Sequence, residues 1–120
     1  MQKQHRLRKS RDFAAVRREG RSWADRRLVL VARRTDAEHC RFGFSVSKRV
    51  GNAVVRNRVK RRLRETARVE LLPHIEPGWD FVVIARKDAA DADYDRLNRS
   101  LLRLFRRAKL LDNAPPTDST

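Results

Sequence analysis

The sequence predicts an α+β fold, a single β-sheet with helices packed on it. Three observations carry this. Residues 28–32 and 79–85 are apolar runs of strand length. Residues 40–47 alternate, with Cys40, Phe42, Phe44 and Val46 on one side and Arg41, Gly43, Ser45 and Ser47 on the other. Two later stretches repeat apolar residues at helical spacing: Val55, Val59, Leu63 and Ala67, then Tyr94, Leu97, Leu101, Leu104, Phe105 and Ala108.

The elements follow in order. Residues 1–9 read as a flexible basic lead-in. Ser10 is a plausible N-cap for a helix over 11–19 that ends at Gly20 and carries Phe13, Ala14 and Val16. A short strand fits around 22–24. The strand at 28–32 is followed by a polar turn at 35–39 and the alternating strand at 40–47. That short turn predicts an antiparallel pair. Asn52 is the N-cap of a long helix over 53–72, which Pro73 ends. Pro77-Gly78 makes a turn into the strand at 79–85. A linker over 87–93 leads to the final helix, and a disordered tail is expected over 112–120, which holds Pro115-Pro116. Residues 10–111 are thus expected to form one domain, and 120 residues leave no room for a second.

Charge narrows the function. Thirty Lys and Arg stand against 15 Asp and Glu, a net charge of +15. A polyanion would relieve that self-repulsion, and nucleic acid is the commonest one. No stretch is long and apolar enough to span a membrane, and neither end carries a lipidation motif, so no membrane partner is expected. The basic N-terminus lacks the apolar stretch of a secretory signal. The single cysteine, Cys40, excludes an internal disulfide and predicts a reducing compartment, by default the cytoplasm.

The densest charge lies in residues 48–64, which hold eight Lys or Arg and no acid. At 100° per residue, Asn57, Arg58, Arg61, Arg64 and Arg68 spread over the face opposite the valine stripe. Arg56 and Lys60 flank the stripe on one side and Arg62 on the other. Like charges four residues apart repel along such a helix, and a phosphate backbone would relieve the cost. A solvated basic face without a partner is the bland alternative.

The stretch Phe44-Ser-Val-Ser-Lys-Arg-Val-Gly-Asn-Ala-Val-Val-Arg-Asn-Arg-Val-Lys-Arg-Arg-Leu-Arg64 resembles the signature of the bacterial ribonuclease P protein subunit family, with Arg56-Asn57-Arg58 as its Arg-Asn-Arg motif. The opening Arg6-Leu7-Arg8-Lys9-Ser10, the Phe81 strand and the last helix are also similar to that family. The resemblance implies a mixed sheet in the order α-β-β-β-α-β-α with a left-handed βαβ crossover, a ribosomal protein S5 domain 2-like fold. It implies the protein subunit of an RNA-based endoribonuclease that removes the 5′ leader of precursor tRNA. The partners would be the catalytic RNA and precursor tRNA, with no obligate protein partner. Magnesium ions would be held mainly by the RNA and substrate, with no protein metal site and no protein catalytic residue. The alternatives are a generic RNA-binding module of ribosomal or nucleoid type, and an intrinsic protein nuclease.

By position, the resemblance assigns Arg49, Arg56, Asn57, Arg58, Lys60, Arg61 and Arg64 to the catalytic RNA. It assigns Lys9, Phe13, Arg17, Val31, Ser45, Ser47 and Lys48 to a cleft for the single-stranded leader. Phe13 would stack on a base there, or else serve as a core residue that fixes the first helix. Arg17 and Val31 stand where many members carry aromatics.

The remaining residues point to ordinary roles. His5, His39 and His74 are scattered. Cys40, on an apolar strand face, reads as an inert buried thiol. Asp91, Asp93 and Asp95 read as capping and dipole compensation for the last helix. Arg96, Arg99, Arg103, Arg106 and Arg107 read as a solvated face, with a secondary RNA contact as the alternative.

Overall fold

The apolar runs and stripes become helix α1 (Ser10–Glu19), strands β1 (Arg21–Ala24), β2 (Leu28–Arg34) and β3 (Arg41–Ser45), helix α2 (Ala53–Thr66), strand β4 (Trp79–Ala85) and helix α3 (Tyr94–Arg107). They are seen in a computed structural model that describes residues 1–111, so the tail expected over 112–120 lies outside the described residues. Helix α2 runs on as a π-helical stretch, Ala67–Leu71. Asn52 caps α2, its side chain accepting from the Val55 N–H at 3.0 Å, and Asp93 caps α3 by accepting from Arg96 N–H at 2.9 Å. Such caps contribute about 1 kcal/mol each. At α1 the N-cap position belongs to Lys9, and no side chain caps it; Ser10 is the first helical residue.

The four strands lie in the order β1-β2-β4-β3. Strand β2 pairs antiparallel with β1 and with β4, and β3 pairs parallel with β4. The expected antiparallel pairing of the 28–32 and 40–47 strands is therefore wrong, because β4 lies between them. The cause is burial. Phe81 and Val83 fill one face of β4 while Val82 fills the other, all fully buried, so β4 belongs in the centre. Strand β3 is apolar on one face only and takes the edge. The local hairpin joins β1 to β2, and helix α2 makes the crossover that a parallel β3–β4 pair requires.

Helices α2 and α3 cover one face. Their Val59, Leu63, Leu97 and Leu101 bury against Leu28, Leu30, Phe42 and Phe81. Phe42, Phe81 and Phe105 pack together, with centroids 4.8–6.1 Å apart. Full burial of each such side chain is worth roughly 1.5–3 kcal/mol. Helix α1 covers the other face, where Val16 meets Val31 and Val82.

Within the segment 1–9, which the sequence predicts to be a flexible lead-in, residues 5–7 dock on the sheet. Arg6 bridges Phe42 in parallel register, and Leu7 N–H donates to Phe42 C=O at 2.9 Å. His5 Nδ1 donates to Cys40 C=O at 2.8 Å. The edge of β3 offers unpaired backbone groups, and Leu7, only 5% exposed, completes the apolar cluster under α1.

Asp25 closes the β1–β2 turn. Its Oδ1 accepts from the N–H groups of Arg27 and Leu28 at 2.8 and 2.9 Å. Burial pushes its pKa up, but the hydrogen bonds from those two N–H groups, helped by Arg103 nearby, outweigh burial and hold it below the ordinary aspartate value. Asp25→Ala should cost about 1–3 kcal/mol at neutral pH, measured by urea unfolding. A depressed carboxylate stabilises the fold above its unfolded pKa. The gap between the two proteins should therefore hold down to about pH 4 and close as the pH falls further.

Candidate nucleic-acid interface

The β3 edge of the sheet and α2 bring the basic stretch into one place. Asn57 and Arg61 are exposed on the crest of α2. Arg49 is exposed in the turn before it. Arg56, Lys60 and Arg64, four residues apart, are half-buried. None of the cations in residues 48–64 forms an ion pair; every salt bridge among the described residues lies elsewhere. The one acid on α2, Glu65, pairs with Arg68 instead, so no ion pair offsets their mutual repulsion.

Arg58 departs from its expected place on the exposed face. It is half-buried and leans toward the turn before α3, with Nη2 3.5 Å from the Ala90 carbonyl. Arg62, one turn on, donates to the Ala92 carbonyl at 3.0 Å. Both guanidinium groups tie α2 to that turn. Helical spacing alone could not show this, because the acceptors are backbone carbonyls about 30 residues away.

Beside α2 lies a cleft of about 310 Å³. Leu7, Phe13, Phe42 and Phe44 make its apolar lining, and Arg6, Arg8, Lys60 and Arg64 supply the charge. Cations around aromatic faces suit a nucleotide strand, whose phosphates and bases ask for those two things. The sequence pattern missed Arg6, Arg8 and Phe44 as parts of this cleft. Arg6 and Arg8 fall in the predicted lead-in, and Phe44 on the predicted core face of its strand. The usable signal was Leu7, a single apolar residue between two arginines, which fits a docked segment better than a free one.

The residues assigned to a leader cleft divide into three groups. Phe13, Arg17 and Ser45 meet. Arg17 Nη2 donates to Ser45 Oγ at 3.0 Å, and the Phe13 ring lies over Gly43, where an added Cβ would stand 2.4 Å from its tip. Lys9, Ser47 and Lys48 are exposed, at the start of α1 and in the turn after β3. Val31 is 6% exposed beneath α1, so it supports α1 and presents no surface to a ligand.

The α1 face is held by charge as well as packing. Arg41 Nε and Nη2 donate to both oxygens of Asp80, at 2.9 and 2.7 Å. Asp80 is 1% exposed. Arg41 also stands 3.7 Å from Asp12 of α1, and Arg33 stands 3.0 Å from Glu19 at the helix's other end. The Arg41 pKa is pushed further up by its hydrogen bonds to Asp80, so the guanidinium keeps its charge. Cys40 lies buried, its Sγ donating to Glu76 C=O at 2.8 Å, and burial raises its pKa. That is the setting of an unreactive thiol.

A mixed α+β sheet with a strongly cationic helix, acid-free up to Arg64, and an aromatic-lined basic cleft defines a nucleic-acid-binding protein. Comparison with known proteins gives the family. Residues 1–109 match the family model described as Ribonuclease P. The chain is 47% identical to the ribonuclease P protein component of an Exiguobacterium species over 92% of this chain and 95% of that one. It is 44% identical to that of Bacillus mycoides, over 90% and 94%. Among solved structures, a Staphylococcus aureus RNase P protein superposes with a TM-score of 0.83 at 37% identity, covering 90% of this chain and 98% of the other. The Thermotoga maritima RNase P protein gives 0.76 at 34%, covering 85% and 96%. This chain belongs to the ribonuclease P protein family. The family's general role is RNA binding in tRNA 5′-end maturation, as a component of an endoribonuclease.

Proposed function

We propose that this chain is the non-catalytic protein subunit of ribonuclease P, acting in the cytoplasm with a catalytic RNA and precursor tRNA as partners. Arg49, Arg56, Asn57, Lys60, Arg61 and Arg64 face the catalytic RNA, with Arg61 and Asn57 leading at the crest, while Arg58 braces α2 against the turn before α3. Lys9, Phe13, Arg17, Ser45, Ser47 and Lys48 attend the 5′ leader, and Val31 supports them from below. Lys60 and Arg64 also line the cleft that holds Phe13, so the two surfaces meet there. The observation that carries the reading is this junction of unpaired cations with an aromatic lining. Phosphates would be neutralised by the cations, and a leader base would lie against Phe13 or Phe44.

Magnesium belongs to the RNA and substrate in this reading. The donor sets at hand do not fit a Mg²⁺ cage: no three His, Cys, Asp or Glu side chains gather among the described residues. No step is therefore assigned to a protein-held ion. The protein's part is to bind, orient the leader and offset phosphate repulsion in the folded RNA.

The test is cleavage of precursor tRNA by a bacterial ribonuclease P RNA at a magnesium level where the RNA alone is nearly inactive. Adding the protein should restore cleavage at the mature 5′ end. Tight RNA binding with no gain in cleavage would instead mark a generic RNA-binding module. Metal-dependent cutting by purified protein without RNA would mark an intrinsic nuclease.

A further inference from the structure

We propose that α3 carries a second RNA-backbone site, at the opposite side of the helical layer from α2. Helix α2 packs over β3, whereas α3 packs over β2 and β1. The exposed residues of α3 include Arg96, Arg99 and Arg103, with Arg106 half-exposed behind them. Their spacing of three and four residues makes one stripe. At 1.5 Å per residue, positions 96–106 span about 15 Å, the length of several phosphates.

A groove of about 610 Å³ opens along this stripe, lined by Arg99, Leu102, Arg103, Arg106, Arg107 and Lys109. Lys109 reaches it because the chain turns back after α3. Its φ is +62°, and the turn is held by Lys109 N–H to Arg106 C=O and Leu110 N–H to Phe105 C=O, both 2.9 Å.

Structural needs account for only part of this charge. Arg103 stands 3.5 Å from Asp25, and Arg107 donates to the Ala24 carbonyl at 2.9 Å, so these two tie α3 to the β1–β2 turn. Arg96, Arg99, Arg106 and Lys109 form no ion pair among the described residues. The helix dipole favours cations in the last turn, which covers Arg106. It disfavours Arg96 in the first turn and does nothing for Arg99. The stripe therefore runs against its own repulsion, as the cationic face of α2 does, and at Arg96 against the dipole as well.

The groove's chemistry points to phosphate. Its one apolar lining residue, Leu102, is only 9% exposed, too little for a protein anchor or a membrane insertion. Arginine forks match phosphate oxygens in pairs. The same RNA that meets α2 is the occupant, held at two points. This rests on the RNA-binding reading above.

The experiment compares R96Q/R99Q/R106Q with R61Q, using the full chain and a bacterial ribonuclease P RNA. Melting temperature and circular dichroism check folding. Salt-dependent binding and hydroxyl-radical protection of the RNA are the readouts. The triple variant should flatten the slope of log affinity against log salt by about 2 units. It should also lose protection over one stretch of RNA that R61Q leaves protected. R96K/R99K/R106K should restore both, which guards against a merely misfolded triple variant. An unchanged slope and footprint would overturn the proposal, as would protections that fade evenly everywhere, since that reports net charge alone. If the native chain protects no RNA, the RNA reading itself fails, and this site with it.

Discussion

Arg41→Leu should lower the melting temperature by roughly 12 °C, more than any single substitution on the crest of α2. The reason is what it leaves behind. Asp80 is 1% exposed, and both its carboxylate oxygens are met by Arg41. Without the guanidinium, a buried carboxylate stands unpaired, which costs about 3 kcal/mol. Each kcal/mol moves the midpoint of a domain this size by about 4 °C. The ion pair itself is not the source of stability. Replacing both partners with apolar residues removes the unpaired charge, so Arg41→Leu/Asp80→Leu should regain most of the loss. Calorimetry on the native protein, both single variants and the double variant checks this. If the double variant melts as low as Arg41→Leu, the loss lies elsewhere. The contact to Asp12 is the obvious second source, but at 3.7 Å and partly exposed it is worth under about 1 kcal/mol.

That pair also shows how far the sequence reaches. The three α-helices and the strands β2, β3 and β4 are legible because apolar runs and helical stripes are local signals, whereas the short helical turns at Lys3–His5 and Lys87–Ala89 carry no such signal. Reading residues 79–85 as an apolar strand passes over Asp80, and nothing local marks its partner. Arg41 becomes its register neighbour only once β3 lies parallel to β4. The sheet order failed for the same reason. A short turn between two strand patterns predicts a hairpin, and only the burial of both β4 faces explains why β4 enters between them. The site divides likewise. Asn57 and Arg61 are where helical spacing puts them. Arg62 flanks the stripe as helical spacing predicts; Arg58 is drawn aside by a carbonyl of the turn before α3, Arg64 is half-buried in the cleft instead of on the open face, and Arg6 and Arg8 reach the cleft because an edge strand captures the N-terminal segment. Each miss is a contact between residues far apart in sequence.

Gly43→Val should separate the two roles open to Phe13. Gly43 faces α1, and its missing side chain is the seat of the Phe13 ring. A Cβ there would stand 2.4 and 2.7 Å from two ring carbons. Valine must therefore push the ring off the sheet, between the Asp12–Arg41 and Arg17–Ser45 contacts that hold α1 on either side. Overpacking of this kind costs about 1–3 kcal/mol, offset in part by valine's better fit to a strand. The larger effect should fall on the leader. Stacking of a base on an aromatic ring is worth about 1–3 kcal/mol, so losing it should cut the preference for leader-bearing precursor over mature tRNA at least fivefold. Phe13→Ala/Gly43→Val supplies the control. With the ring gone the clash is gone, so stability should partly return, while the preference for the leader should not. If the preference returns along with stability, Phe13 acts by fixing α1, and the leader contacts belong to Phe44 and the arginines of the cleft.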